Sequence, residues 1–232
     1  MHLLPPCCVL CDTKVTSNIS LCEPCQQDLP RIKQCCYQCG LPLQNQLNAT
    51  LCGQCQLSPP PIDYLISSFH YAYPIGHLVS QLKFQHHLTH ANIFSQLLLA
   101  TLQTRYDKQS MLLPEIIIPV PLHKKRLRQR GFNQALEIAR PISKTLDIPL
   151  STKIIQRVKY TQAQSLLTAV ERRKNLRHSF ALAKPIITDH IVLIDDVVTT
   201  GTTVYELASL LKKQGVKTVG VWAVARATHK HK

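Results

Sequence analysis

Ile191-Val192-Leu193-Ile194-Asp195-Asp196-Val197-Val198-Thr199-Thr200-Gly201-Thr202-Thr203 is the stretch whose reading sets the architecture. Four consecutive apolar residues predict a strand buried on both faces, as strands of a parallel sheet are. Two adjacent carboxylates close it. A hydroxyl-rich loop with a single glycine then opens a helix expected over 203–214, which Gly215 stops. A helix start presents free backbone N–H groups and a partial positive charge, so it holds a phosphate. Thr199, Thr200, Thr202 and Thr203 add hydroxyl donors around Gly201. Asp195 and Asp196 stand close by, placed to accept hydrogen bonds from sugar hydroxyls. A phosphate at one end and a diol at the other describe a ribose 5-phosphate group. Without such a ligand, adjacent buried carboxylates would be costly. The chain contains neither the P-loop pattern nor the dinucleotide fingerprint.

Outward from this segment, short apolar runs alternate with helical patterns. Strands are expected at 62–73, 116–120, 154–158, 191–194 and 216–224, and helices at 76–105, 134–146, 166–176 and 203–214. The alternation predicts an α/β domain over 62–226, a mostly parallel sheet with helices on both faces. Ligands then bind beyond the carboxyl ends of the strands. Arg126, Arg128 and Arg130 follow the strand at 116–120 and lead into Gly131-Phe132-Asn133-Gln134. Arginine forks suit pyrophosphate oxygens, and Gly131 suggests tight backbone geometry there. His86, His87 and His90 have no acidic ligand beside them and read as a polar helix surface.

All 10 cysteines lie before Leu57. Eight of them form C-x-x-C pairs: Cys8/Cys11, Cys22/Cys25, Cys36/Cys39 and Cys52/Cys55. Two such pairs supply the four sulfurs that tetrahedral zinc needs, and a closed four-sulfur site is structural rather than catalytic. Two pairings satisfy the spacing, first with second and third with fourth, or a crossed set joining first and third. One or two zinc ions are therefore expected. Cys7 and Cys35 each precede a pair and read as spare thiols. Residues 1–58 form this zinc-binding module, Ser58-Pro59-Pro60-Pro61 is a stiff spacer, and 227–232 is a basic tail.

The formal net charge is +14, and the excess concentrates between Lys124 and Arg177, where only Glu137, Asp147 and Glu171 oppose it. A one-sided cluster of that kind suits a phosphate-bearing polyanion. No run of about 18 apolar residues predicts a membrane span. The N-terminus has no signal-peptide pattern, and a zinc-thiolate module suits reduced surroundings, so a cytoplasmic location is expected.

Asp195-Asp196 with Thr199-Thr200-Gly201-Thr202-Thr203 resembles the signature of type I phosphoribosyltransferases, which bind phosphoribosyl pyrophosphate (PRPP). Thr202 stands where a second glycine is frequent. The order of paired C-x-x-C motifs, Pro119-Val120-Pro121-Leu122, Arg130-Gly131-Phe132-Asn133-Gln134, and Gln164 through Arg172 and Asn175 is similar to the ComF/GntX family over nearly the whole chain. That resemblance implies a type I phosphoribosyltransferase-like fold, a pocket for PRPP with Mg2+, and a hood over it that includes Gln162, Gln164, Arg172, Arg173 and Asn175. It also implies a part in natural transformation, in which incoming single-stranded DNA is handled in the cytoplasm, with competence-machinery proteins as candidate partners. Turnover is a separate question. A PRPP-dependent transferase needs an acceptor-reading segment and a general base, and the sequence displays neither. A PRPP-sensing regulator needs no acceptor.

Overall fold

The computed structural model describes residues 7–16, 19–43, 50–109, 111–160 and 178–228. Two short helices, α1 (Glu23–Gln27) and α2 (Gly53–Leu57), belong to the cysteine module. There follow β1 (Tyr64–His70), α3 (Ile75–Gln85), α4 (Thr89–Gln109), β2 (Ile116–Pro119), α5 (Lys124–Arg130), α6 (Gln134–Leu146) and β3 (Ile155–Arg157). The chain continues through β4 (Phe180–Leu182), β5 (His190–Val198), α7 (Thr202–Lys212) and β6 (Thr218–Arg226).

The apolar run at 191–194 is the middle of β5, and its residues alternate between two cores. Val192 and Ile194 pack with Leu82 of α3, Phe94 and Leu98 of α4, and Ile138 and Ile142 of α6. Ile191 and Leu193 pack with Val204, Leu207 and Leu211 of α7. Both faces of the strand are therefore covered, as its unbroken hydrophobicity required. Each such side chain contributes about 1.5–3 kcal/mol by leaving water. Among the described residues the sheet has four strands in the order β1-β6-β5-β2, and every neighbouring pair is parallel. Gly220 in β6 lets the Tyr64 ring of β1 lie over the strand, since a Cβ there would come within 2.1 Å of that ring.

Three expectations need correcting in detail. The helix expected at 76–105 is two helices, α3 and α4, separated at His86, whose φ of 59° ends α3 in the left-handed region. His90 is not on a polar surface. It is 2 % exposed, and its Nδ1 lies 3.2 Å from the Leu78 carbonyl, because the break turns the start of α4 back onto α3. Residues 154–158 do not join the parallel sheet. The edge of β2 is already occupied by residues 149–151, where Ile117 donates to Pro149 and receives from Ser151, so β3 forms an antiparallel hairpin with β4 instead. The segment before Gly131 is helix α5, which Gly131 terminates at a φ of 76°. The expected helix at 166–176 lies outside the described residues.

The cysteine module completes the opposite edge of the sheet. Ile32 donates to the Ser68 carbonyl at 3.0 Å, His70 to Pro30 at 2.8 Å and Leu65 to Tyr37 at 3.0 Å, and Arg31 bridges Phe69 in antiparallel sense. An uncovered parallel strand would offer these backbone groups to any passing chain. Among the described residues no helix is long and apolar enough to cross a membrane.

Candidate phosphosugar pocket and cysteine tetrads

The loop between β5 and α7 borders a depression lined by Asp195 and Val197 through Val204, with a volume of about 390 Å³ out to its open mouth. Gly201 caps α7 at a φ of 80° and must be glycine twice over. L-residues resist that backbone, and a Cβ would lie 2.4 Å from the Tyr205 ring. Thr200 and Thr202 pair their hydroxyls at 2.7 Å across the glycine. The N-terminus of the 11-residue helix α7, Thr202 through Val204, lines this depression, and the Thr202 N–H donates to the Thr200 hydroxyl at 3.4 Å. All seven residues expected from the sequence for phosphopentose binding, Asp195, Asp196, Thr199, Thr200, Gly201, Thr202 and Thr203, therefore sit on one strand end, loop and helix start.

The two carboxylates have different surroundings. Asp195 borders the pocket, and its Oδ1 accepts from the Asp196 backbone N–H at 2.9 Å. Asp196 is 6 % exposed and forms an ion pair with Lys83 of α3. Burial works against the Lys83 ammonium, and the charge and hydrogen bond of Asp196 more than offset it, so its pKa is raised. Arg130 also stands in the field of Asp196, while Arg157 on β3 stands in that of Asp195. Burial, reinforced by the charge of Asp196 and eased by Lys83, holds the Asp195 carboxyl well above the ordinary carboxylate range.

That displacement links the pocket to stability. The folded state keeps a proton on Asp195 at pH values where the unfolded chain has lost it, so stability falls as pH rises from the ordinary carboxylate range through the raised value. Asp195→Asn should therefore be no more stable than the wild type in strong acid, near or below 3.8, and increasingly more stable as pH rises toward neutrality. Urea unfolding at a series of pH values measures this, and a pH-independent difference would contradict it.

Of the residues expected at the pyrophosphate, Arg126 and Arg130 are partly buried on α5, whereas Arg128 is exposed on the same helix. Arg130 lies 5.6 Å from the centre of the Phe84 ring and donates to the buried Gln134 at 2.6 Å. Asn133 caps α6 by accepting from Ala135 and ties it to β2 by donating to the Val120 carbonyl, each at 3.1 Å. The motif at 130–134 thus fixes α5 against α6 beside the acidic pair. Gln164 and Arg172, with Gln162, Arg173 and Asn175, lie outside the described residues. Lys83 and Phe84 had no signal in the sequence, because nothing near them in the chain points to Asp196. Arg157 was visible only as one cation among many.

Cys8, Cys11, Cys22 and Cys25 form one cluster, and Cys36, Cys39, Cys52 and Cys55 a second, each with sulfurs within 4.8 Å of one another. The sequential pairing is therefore the one adopted, and Cys7 and Cys35 belong to neither tetrad. Cys11 and Cys22 sulfurs are 3.5 Å apart, and Cys39 and Cys52 3.7 Å. A tetrahedron with Zn–S bonds of about 2.3 Å has edges of about 3.8 Å, so both donor sets fit zinc. Hydrogen bonds with the Thr13 hydroxyl and backbone, aided by Cys22 and Cys8, bring the Cys11 thiol down to about 6, while the hydrogen bond with Cys22 and burial push the Cys25 thiol up.

Comparison with known proteins agrees with both halves. Residues 1–56 match the family described as a double zinc ribbon domain, and residues 133–232 match the phosphoribosyl transferase domain family. The chain is 37 % identical over 227 residues to the DNA utilization protein YhgH of Escherichia coli O157:H7, covering 97 % of this chain and 99 % of that one. It is 37 % identical over 210 residues to Competence protein F of Haemophilus influenzae, covering 89 % and 90 %. The solved purine phosphoribosyltransferase of Pyrococcus horikoshii aligns with 59 % of this chain and 83 % of its own, at 23 % identity and a TM-score of 0.35. The N-terminal module is a double zinc ribbon with two structural four-cysteine sites, and the remainder is a phosphoribosyltransferase-type α/β domain.

Proposed function

Because the chain belongs to the ComF-type competence family, with Competence protein F and DNA utilization protein YhgH among its relatives, we propose that it handles single-stranded DNA during natural transformation. Its pocket binds PRPP or a related ribose 5-phosphate compound. The observation that carries the pocket is that Asp195 and the threonine-rich loop around Gly201 line a single depression. The α7 N-terminus and the threonine hydroxyls receive the 5-phosphate, and Asp195 accepts from the ribose hydroxyls. Arg130 and Arg126 meet the pyrophosphate. Asp195 offers oxygen ligands of the kind Mg2+ prefers, and when bound the ion neutralises pyrophosphate charge.

The DNA reading rests on the family and on the face beside the pocket. Helix α5 carries Lys124, Lys125, Arg126, Arg128 and Arg130. Lys125 lies 5.4 Å from the Tyr160 ring centre, and His123 packs on the same ring at 5.2 Å. Phe84, under Arg130, is 71 % exposed. Cations interleaved with exposed rings suit a single strand, whose phosphates meet charge and whose bases stack. On this reading the strand is held in the cytoplasm, and the zinc ribbon is the surface open to competence-machinery proteins.

Fluorescence anisotropy with a labelled single strand, read over a salt series, tests the assignment. Log affinity should fall linearly with log salt, by about 0.7 per phosphate contact. Lys124→Ala/Lys125→Ala/Arg128→Ala should flatten the slope by about 2, three contacts' worth. Absent or salt-insensitive binding by the pure protein would overturn the DNA role.

A further inference from the structure

We propose that Arg226 is a positioning residue that ties the phosphate-binding loop to the second zinc site, so that losing this zinc loosens the pocket. The inference rests on the pocket reading above and explains why a zinc ribbon accompanies this particular domain. Arg226 ends β6 and is 2 % exposed. Its Nε donates to the carbonyl of the zinc ligand Cys39 at 2.9 Å. Its Nη1 donates to the carbonyls of Val198 at 3.1 Å, of Thr199, and of Ala227 at 2.8 Å. Val198 and Thr199 are the residues through which β5 passes into the phosphate loop. One planar, rigid guanidinium thus grips the knuckle on one side and the root of the loop on the other.

Both ends of this strut are constrained. On the zinc side, Gly40 follows Cys39 at a φ of 69° and lies so close to β1 that a Cβ would come 2.4 Å from Leu65. The Cys39 carbonyl can hold its direction only while the knuckle is closed. On the loop side, Tyr205 donates its backbone N–H to Gly201 at 2.9 Å and sets its ring beneath that glycine. Among the described residues no carboxylate forms an ion pair with Arg226. A zinc ion with four thiolates carries net negative charge. The second tetrad therefore supplies the counter-charge that a buried guanidinium needs. Release of zinc removes both the fixed carbonyl and that charge, and the loop loses its anchor. Among the described residues the first tetrad has no such link, because its Cys8 packs in the core on the α3, α4 and α6 side of the sheet.

The test uses the full zinc-loaded chain and hydrogen exchange at residues 199–203, with 191–194 in the middle of β5 as the internal control. Arg226→Lys keeps the charge and loses the fork. It should retain two zinc ions, exchange faster at 199–203 with the control unchanged, and bind Mg-PRPP about 10- to 100-fold more weakly. Cys52→Ser, in the second tetrad, should reproduce the loop signature, and Cys11→Ser, in the first, should not. Unchanged exchange at 199–203 in Arg226→Lys and Cys52→Ser would overturn the proposal, as would equal loosening by both cysteine variants. If the wild type fails to bind PRPP, the pocket reading falls, while the exchange data still decide whether the tether exists.

Discussion

Asp195→Asn/Asp196→Asn should abolish the calorimetric signal of Mg-PRPP while leaving the protein folded. A hydrogen bond to a charged group is worth about 1.5–3 kcal/mol. Removing both carboxylates should therefore cost between about 10² and 10⁴ in affinity, at about 1.4 kcal/mol per tenfold. Asparagine is the right replacement because Asp196 pairs with Lys83 in a site only 9 % exposed on the acid's side chain. Asparagine removes the charge but keeps an oxygen that can accept from the Lys83 ammonium, whereas alanine removes both, and breaking a buried pair from one side costs about 3–5 kcal/mol. The single variants separate the roles. Asp195→Asn should account for most of the loss, since Asp195 borders the pocket. Asp196→Asn should act more weakly, through the released Lys83. Lowering the pH should weaken binding in the wild type as Asp195 takes up its proton, because only the ionised carboxylate accepts from both ribose hydroxyls. Binding of wild-type strength in the double variant would remove the pentose from this site.

Stripping zinc with a strong chelator should have the largest effect on the folded chain. Structural zinc contributes on the order of 10–16 kcal/mol of binding free energy in zinc-finger peptides, and a double ribbon of this length cannot replace that with core. Elemental analysis should find two zinc ions per chain before treatment. After it, the amides of Ile32, Leu65 and His70 should lose protection, because their partners lie across the junction between ribbon and β1. The bared edge of β1 should then drive aggregation, visible as turbidity that zinc added beforehand prevents. Unchanged protection at Leu65 in metal-free protein would show that the ribbon holds itself together without the ion.

Much of this was legible in the chain because the decisive signals are local. The ligand spacing Cys-x-x-Cys lies within one turn of backbone. The proposed phosphate cradle is a single run from Asp195 to Thr203, in which strand end, glycine and helix start are consecutive. Helix α6 falls at 134–146 as read, since its Asn133 cap and apolar face are both written in neighbouring residues. The elements that departed from expectation are those whose state depends on distant partners. Residues 155–157 have the apolar look of a sheet strand, yet they pair with β4, because the stretch at 149–151 reaches the β2 edge first. His90 is polar in type and buried in fact, because α3 offers it a carbonyl.

The sequence by itself marked the cysteine-rich module, the α/β alternation, the eight cysteines of the two tetrads and the run from Asp195 to Thr203 proposed to hold the phosphate. Each of those follows from chemistry between near neighbours, which spacing reports. The tertiary structure decided which carboxylate borders the pocket, which cation faces it, and how the ribbon meets the loop. Lys83 reaches the Asp196 of β5 from helix α3, and Arg226 reaches Cys39 across a separation of 187 residues. Such contacts exist only once the sheet has folded and closed the distance, so no pattern along the chain announces them.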